Sequence, residues 1–194
     1  MKSIIDAGPW TRDSMSLAVP WRRLPALDRG LTIGILPEDP KYPLHHPVRR
    51  ALITAADKLA AAGYKVLQLT CDPDFNISVS NDLMFEYYGF DPDQTALKII
   101  ADGREPLIPS LVKMNILGSI DDSKRGDGRA LAVMNRRRQG MMINFWMDVF
   151  VANELDVLLA PPSRCTAVEH DNWNWNPYTT SFNLVDVSSK PATC

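Results

Sequence analysis

The segment from Leu31 to Leu69 limits what this chain can fold into more than any other. Leu31-Thr32-Ile33-Gly34-Ile35-Leu36 is a short β-forming run closed by Pro37. A proline-rich loop leads to Pro47, a residue preorganised for the first turn of a helix. Val48, Leu52, Ala55, Ala56 and Leu59 then recur at helical spacing, and Gly63 supplies the stop. Tyr64 to Leu69 is a second β run, with Val66, Leu67 and Leu69 as its apolar residues. Strand, helix and strand in immediate succession make a βαβ unit. Such a unit favours parallel pairing and a right-handed crossover, and predicts an α/β fold.

The flanking segments read less regularly. Lys2 to Asp6 is a helical scrap stopped by Gly8-Pro9, far below the length at which a helix stands alone, and is expected to be the last turn of something longer. Residues 1–30 are therefore read as a helix remnant and an irregular arm, and residues 31–194 as the α/β domain. Asn76 to Leu117 is helical in composition but broken by Pro92, Pro106 and Pro109, which predicts two or three short helices. Gly128 to Glu154 reads as one long helix. Met141, Phe145 and Val149 form one apolar row and Met142, Trp146 and Phe150 the adjacent one. Leu155 to Ala160 has the pattern of a buried strand and ends at Pro161-Pro162. From Ser163 to Cys194 the chain is rich in asparagine and tryptophan and shows little periodicity.

With 194 residues, the chain is long enough to bury a substantial core without a disulfide framework. Cys71, Cys165 and Cys194 are odd in number and widely spaced, as reduced thiols would be. A formal charge of −2 argues against a nucleic-acid partner or an anionic membrane surface. No run approaches the roughly 20 apolar residues that span a bilayer. The opening Met1-Lys2-Ser3-Ile4-Ile5-Asp6 has no secretory h-region, so a cytoplasmic location is expected.

No complete catalytic constellation emerges from the residues themselves. Cys165 precedes His170-Asp171 by five positions, which suits a Cys/His hydrolase only if the fold brings them together. The plainer reading is a loop cysteine and a surface histidine. His45-His46 are adjacent, and neighbouring side chains rarely converge on one ion, so no metal or other cofactor is expected. The loop Pro37-Glu38-Asp39-Pro40-Lys41-Tyr42-Pro43 has no glycine and carries two acids, which disfavours a phosphate site. Arg136-Arg137-Arg138 point about 100° apart on a helix and cannot form one basic face. Trp173 and Trp175 alternate with Asn172, Asn174 and Asn176. They read either as a stacking platform or as a loop packed on the core.

Set in order, several of these pieces resemble the C-terminal half of the amidase signature family, most closely its fungal general amidase and acetamidase branch. The carriers are Met1 to Trp10 with Val19-Pro20-Trp21-Arg22, the strand Leu31 to Leu36, Pro43-Leu44-His45-His46-Pro47-Val48, and Arg50-Ala51-Leu52. They continue with Ala62-Gly63-Tyr64-Lys65-Val66, Gly103-Arg104-Glu105-Pro106, and Asn135 to Arg138 ahead of Trp146. Leu155 to Pro162, Tyr178-Thr179 and Asn183-Leu184 complete the series. The resemblance implies the C-terminal portion of that fold, a partial mixed sheet flanked by helices. It also implies hydrolysis of a carbon–nitrogen bond, amide to carboxylate plus ammonia or amine.

The family's machinery is a serine nucleophile activated through a second serine by an unprotonated lysine, with a G-G-S-S-G-G type stretch forming the oxyanion hole. None of this is present: the chain has ten glycines and no two are adjacent. His46 stands where proline is usual and Arg104 where glycine is typical, and Val187 to Cys194 leaves the family pattern. A piece truncated at both ends, inactive alone, is therefore expected. What the resemblance leaves to this part is a substrate-pocket wall for a small amide, assigned to Trp173, Trp175, Asn176, Tyr178, Thr179 and Asn183. Expected partners are an amidase N-terminal half or a second copy, and the alternatives are a stand-alone α/β binding module or a small Cys/His hydrolase.

Overall fold

The computed structural model of the chain describes residues 2–19, 29–70, 76–114, 120–172 and 176–186. It divides into two compact units, Met1–Gly30 and Leu31–Cys194. In the first, helix α1 (Lys2–Asp6) is tied by an ion pair between its end residues and is followed by a 3-10 turn, Pro9–Thr11.

The second unit is built on three parallel strands in the order β2-β1-β3, where β1 is Thr32–Ile35, β2 Lys65–Gln68 and β3 Val157–Leu159. Ile33 is in register with Val66 on one side and Val157 on the other. A strand of opposite direction, which a mixed sheet requires, is not among the described residues. All of β1 is buried, as a central parallel strand must be. Asp156 prolongs the β1–β3 ladder: its N–H donates to the Thr32 carbonyl and its Oδ2 accepts from the Thr32 N–H, both at 2.9 Å. At Gly34 the strand is approached too closely for a side chain. A Cβ there would lie 2.6 Å from Leu155 Cδ1 and 3.0 Å from Leu69 Cδ1.

Successive strand residues face opposite sides of the sheet. Ile33, Ile35 and Leu159 pack with Leu52, Ala56 and Leu59 of helix α2 (His46–Ala61), the face that the apolar spacing predicts. On the other side Leu158 joins a core of Leu83, Met134, Met141, Phe145 and Leu184. That core comes from α3 (Ile77–Gly89), α6 (Gly128–Asn144) and α7 (Pro177–Leu184), with Phe145 from the turn that continues α6. Between them lie α4 (Thr95–Asp102) and α5 (Pro109–Met114), so the described residues of the middle region hold three short helices.

Two elements depart from the sequence reading. Helix α7 occupies a stretch whose periodicity predicts no helix. And α6 does not run straight on to Glu154. It passes into a π segment, Phe145–Val151, where the N–H groups of Ala152 and Leu155 reach carbonyls five residues back, on Met147 and Phe150. The wider turn rotates the following side chains relative to an α-helix. Phe145 stays in the core at 2% exposure, while Trp146 is 59% exposed and stacks on Phe150 with ring centroids 5.5 Å apart.

Candidate functional site

The densest polar chemistry lies where the loop after β1 meets α3 and α7. Asp39, only 4% exposed, accepts hydrogen bonds from the Ser78 N–H and Ser78 hydroxyl on Oδ2 and from the Lys41 N–H on Oδ1, all at 2.8 Å. Its own N–H donates to the Tyr178 hydroxyl at 3.3 Å, and that hydroxyl donates to the Tyr42 carbonyl at 3.0 Å. Tyr178 is fully buried. Burial pushes its phenol upward from the ordinary tyrosine value, against the opposing pull of the Asp39 N–H, so it remains a donor. Next to it Glu38 accepts from the Leu44 N–H at 2.7 Å and from Arg49 Nε of α2 at 2.8 Å. The Arg49 guanidinium holds the Glu38 carboxyl below its usual range. Both acids of this loop are thus taken up by protein donors.

Where α7 crosses α3, Ser80 Oγ and Ser181 Oγ sit 2.6 Å apart in full burial. Each hydroxyl also lies 2.8 Å from the carbonyl four residues back in its own helix, Asn76 and Pro177. Among the described residues no lysine bonds to either one; Lys41, in the adjoining loop, pairs with Asp82 at 3.2 Å. The contact lets the two helices approach closely and satisfies both buried hydroxyls.

Of the expected pocket wall, Trp173 and Trp175 lie outside the described residues. Asn176 and Thr179 come together at Pro162, whose carbonyl accepts from Asn176 Nδ2 and, at 2.8 Å, from the Thr179 hydroxyl. Asn176 Oδ1 is buried and has no hydrogen-bond partner among the described residues. Tyr178 instead faces Asp39 and Tyr42 inside the core, while Thr179 and Asn183 lie on the exposed side of α7.

The other candidates separate. Cys71 and Cys194 are outside the described residues. The Cys165 sulfur lies 3.7 Å from Ser163 Oγ, and among the described residues no hydrogen bond links it to His170, which is exposed. His45 precedes the first turn of α2 and His46 opens it; among the described residues no three metal-ligating side chains cluster. The three arginines part as their spacing predicts. Arg137 pairs with Glu86 at 2.9 Å, Arg138 Nε donates to the Leu184 carbonyl at the end of α7 at 2.7 Å, and Arg136 is exposed.

Sequence reasoning missed the Asp39–Tyr178 and Ser80–Ser181 contacts, which join residues far apart in the chain. The only local signal is Asn176-Pro177, a pair suited to opening a helix.

The chain matches the family model described as Amidase over residues 4–194. It is 30% identical to an amidase of Gibberella moniliformis and 26% identical to an acetamidase of Emericella nidulans, each match covering 97% of this chain and 35% of the relative. Among solved structures it is similar to a fatty acid amide hydrolase, with a TM-score of 0.82 and 28% identity over 95% of this chain and 32% of that one. The chain thus spans about a third of the length of the curated relatives it matches.

Proposed function

This chain belongs to the amidase family, and from that premise we propose that it is the C-terminal lobe of an amide-hydrolysing enzyme, without the half that breaks the bond. One observation carries the reading: ten glycines with no two adjacent leave no glycine-serine stretch able to present a nucleophile and its oxyanion donors. In acyl transfer the activated nucleophile and the preorganised N–H donors supply most of the acceleration. A lobe contributes orientation and shape, and these act only on a substrate already facing the reactive groups. The segment around Asn176 is the pocket wall in this reading. Its buried Oδ1, without a partner among the described residues, is an acceptor complementary to the N–H of a small amide.

The purified chain, incubated with acetamide and with an aryl amide, is expected to release no more ammonia or amine than an empty-vector preparation. Turnover above that background overturns the proposal. A small Cys/His hydrolase finds no comparable support, since the polar neighbour of the Cys165 sulfur is Ser163.

A further inference from the structure

Because β1 and β3 are parallel, the loops that leave them run off the same end of the sheet. In an open parallel sheet, ligands are held in the crevice beyond the carboxyl ends of the strands. Of the described arginines, Arg49, Arg125, Arg138 and Arg164 are half-buried. Three of them have acceptors: Glu38 for Arg49, the Gly89 carbonyl and Asp122 for Arg125, and the Leu184 carbonyl for Arg138. Arg164, in the loop after β3, forms no ion pair and no side-chain hydrogen bond among the described residues. A guanidinium stays charged at any working pH, and a charge drawn partly out of water calls for an anion within reach. The main chain of the same loop is pinned. The Arg164 carbonyl accepts from the His45 N–H at 2.8 Å, and the Pro162 carbonyl takes both Asn176 and Thr179. Arg164 is thus fixed at its root and unclaimed at its tip.

The acids of the loop after β1 are already engaged, Glu38 with Arg49 and Asp39 with Ser78 and the Lys41 N–H. Arg164 stands within electrostatic reach of this group. Burial moves the Tyr178 phenol most and the Asp39 N–H opposes it, while the Arg164 charge adds a smaller downward pull. Chain geometry brings the cation close to the Asn176 segment. Asn176 holds the Pro162 carbonyl, and two further residues extend a backbone by about 7 Å at most, which is within the length of one small molecule. The carboxyl end of the sheet therefore offers a cation and, at Asn176 Oδ1, a buried acceptor, neither with a partner among the described residues. We infer that the ligand of this site is an amide whose far end carries a carboxylate, seated on the Arg164 guanidinium while the amide N–H turns to Asn176 Oδ1. The inference rests on the reading of the Asn176 segment as a pocket wall and narrows its ligands from small amides to anionic ones.

Isothermal titration of the full chain with succinamate, succinamide and butyrate tests this. Succinamate carries both groups, succinamide lacks the carboxylate and butyrate lacks the amide. Succinamate is expected to bind, and each of the other two to bind roughly tenfold more weakly or worse. Arg164→Gln is expected to weaken succinamate by a similar factor of about ten. Arg50→Gln, which removes an exposed arginine of α2, is expected to leave the affinity unchanged. Because Arg164 has no partner to lose, Arg164→Gln is expected to melt no lower than the parent. Failure of the parent to bind succinamate, undiminished binding by Arg164→Gln, or equal binding of succinamide or butyrate overturns the inference. So does an equal loss in Arg50→Gln, which would mean attraction to positive charge in general. A fall in the melting temperature of Arg164→Gln overturns it as well, because the guanidinium would then have its partner inside the protein. Release of ammonia from succinamate by the chain alone would instead defeat the lobe reading and leave the binding result standing.

Discussion

Tyr178 uses one oxygen to join α7 to two points of the loop after β1. Its hydroxyl proton goes to the Tyr42 carbonyl and its lone pair takes the Asp39 N–H, both in the interior. Tyr178→Phe keeps the ring and removes both bonds, leaving a buried donor and a buried acceptor unpaired. The expected loss is about 1–3 kcal/mol, read as a lower urea midpoint with an unchanged slope. An unchanged midpoint would show that the hydroxyl stabilises nothing. Glu38 carries the pH dependence of the same loop. Its carboxyl is depressed in the folded protein by the Arg49 hydrogen bond, so its contribution is full above the ordinary glutamate range and disappears as pH falls through the folded value. Melting temperature is expected to decline more steeply between about pH 6 and about pH 3 in the parent than in Glu38→Gln; parallel curves would refute this. The sequence reading saw both acids and weighed them as repelling phosphate. Two of the partners of Asp39 were illegible because Ser78 and Tyr178 lie 39 and 139 positions from it. The arginine triplet was legible, since helical rotation alone separates its members.

At the level of elements, local pattern sufficed wherever one face of a segment is apolar. The strands of the βαβ unit and the apolar face of α2 follow from spacing alone. Helix α7 escaped because its inward positions include Ser181 as well as Tyr178 and Leu184, and a polar residue at a core position breaks the apolar count. The π segment escaped because the one-residue widening leaves no trace in a row of apolar residues. The end of α4 gives a position where sequence comparison and geometry meet. The Glu105 N–H returns to the Ile100 carbonyl at 3.2 Å and the Arg104 N–H to Ala101 at 2.9 Å, a Schellman ending. It puts Arg104 at a φ of 55°, in the left-handed region where glycine sits without strain. The glycine that the resemblance implies at this position would hold the same conformation without strain. Arg104→Gly is expected to stabilise the chain by up to about 1 kcal/mol, relief of strain exceeding the entropy of the added glycine. A lower melting temperature would show that the arginine side chain outweighs the backbone strain.

For the whole molecule, family membership was legible because the order of many weak pieces survives where no single piece is diagnostic. Of the residues that the resemblance assigns to a pocket wall, Asn176 and Thr179 meet at the Pro162 carbonyl, whereas Tyr178 turns inward, because a large aromatic gains more from burial in the core than from lining a cleft. The long span between the partners of Tyr178 also bears on how the chain is made. During synthesis the loop at Asp39 leaves the ribosome more than a hundred residues before the helix that seals it. Until α7 emerges, the inner faces of α3 and α6 have no lid, and the nascent polypeptide must be kept from sticking to its neighbours over that whole interval of synthesis.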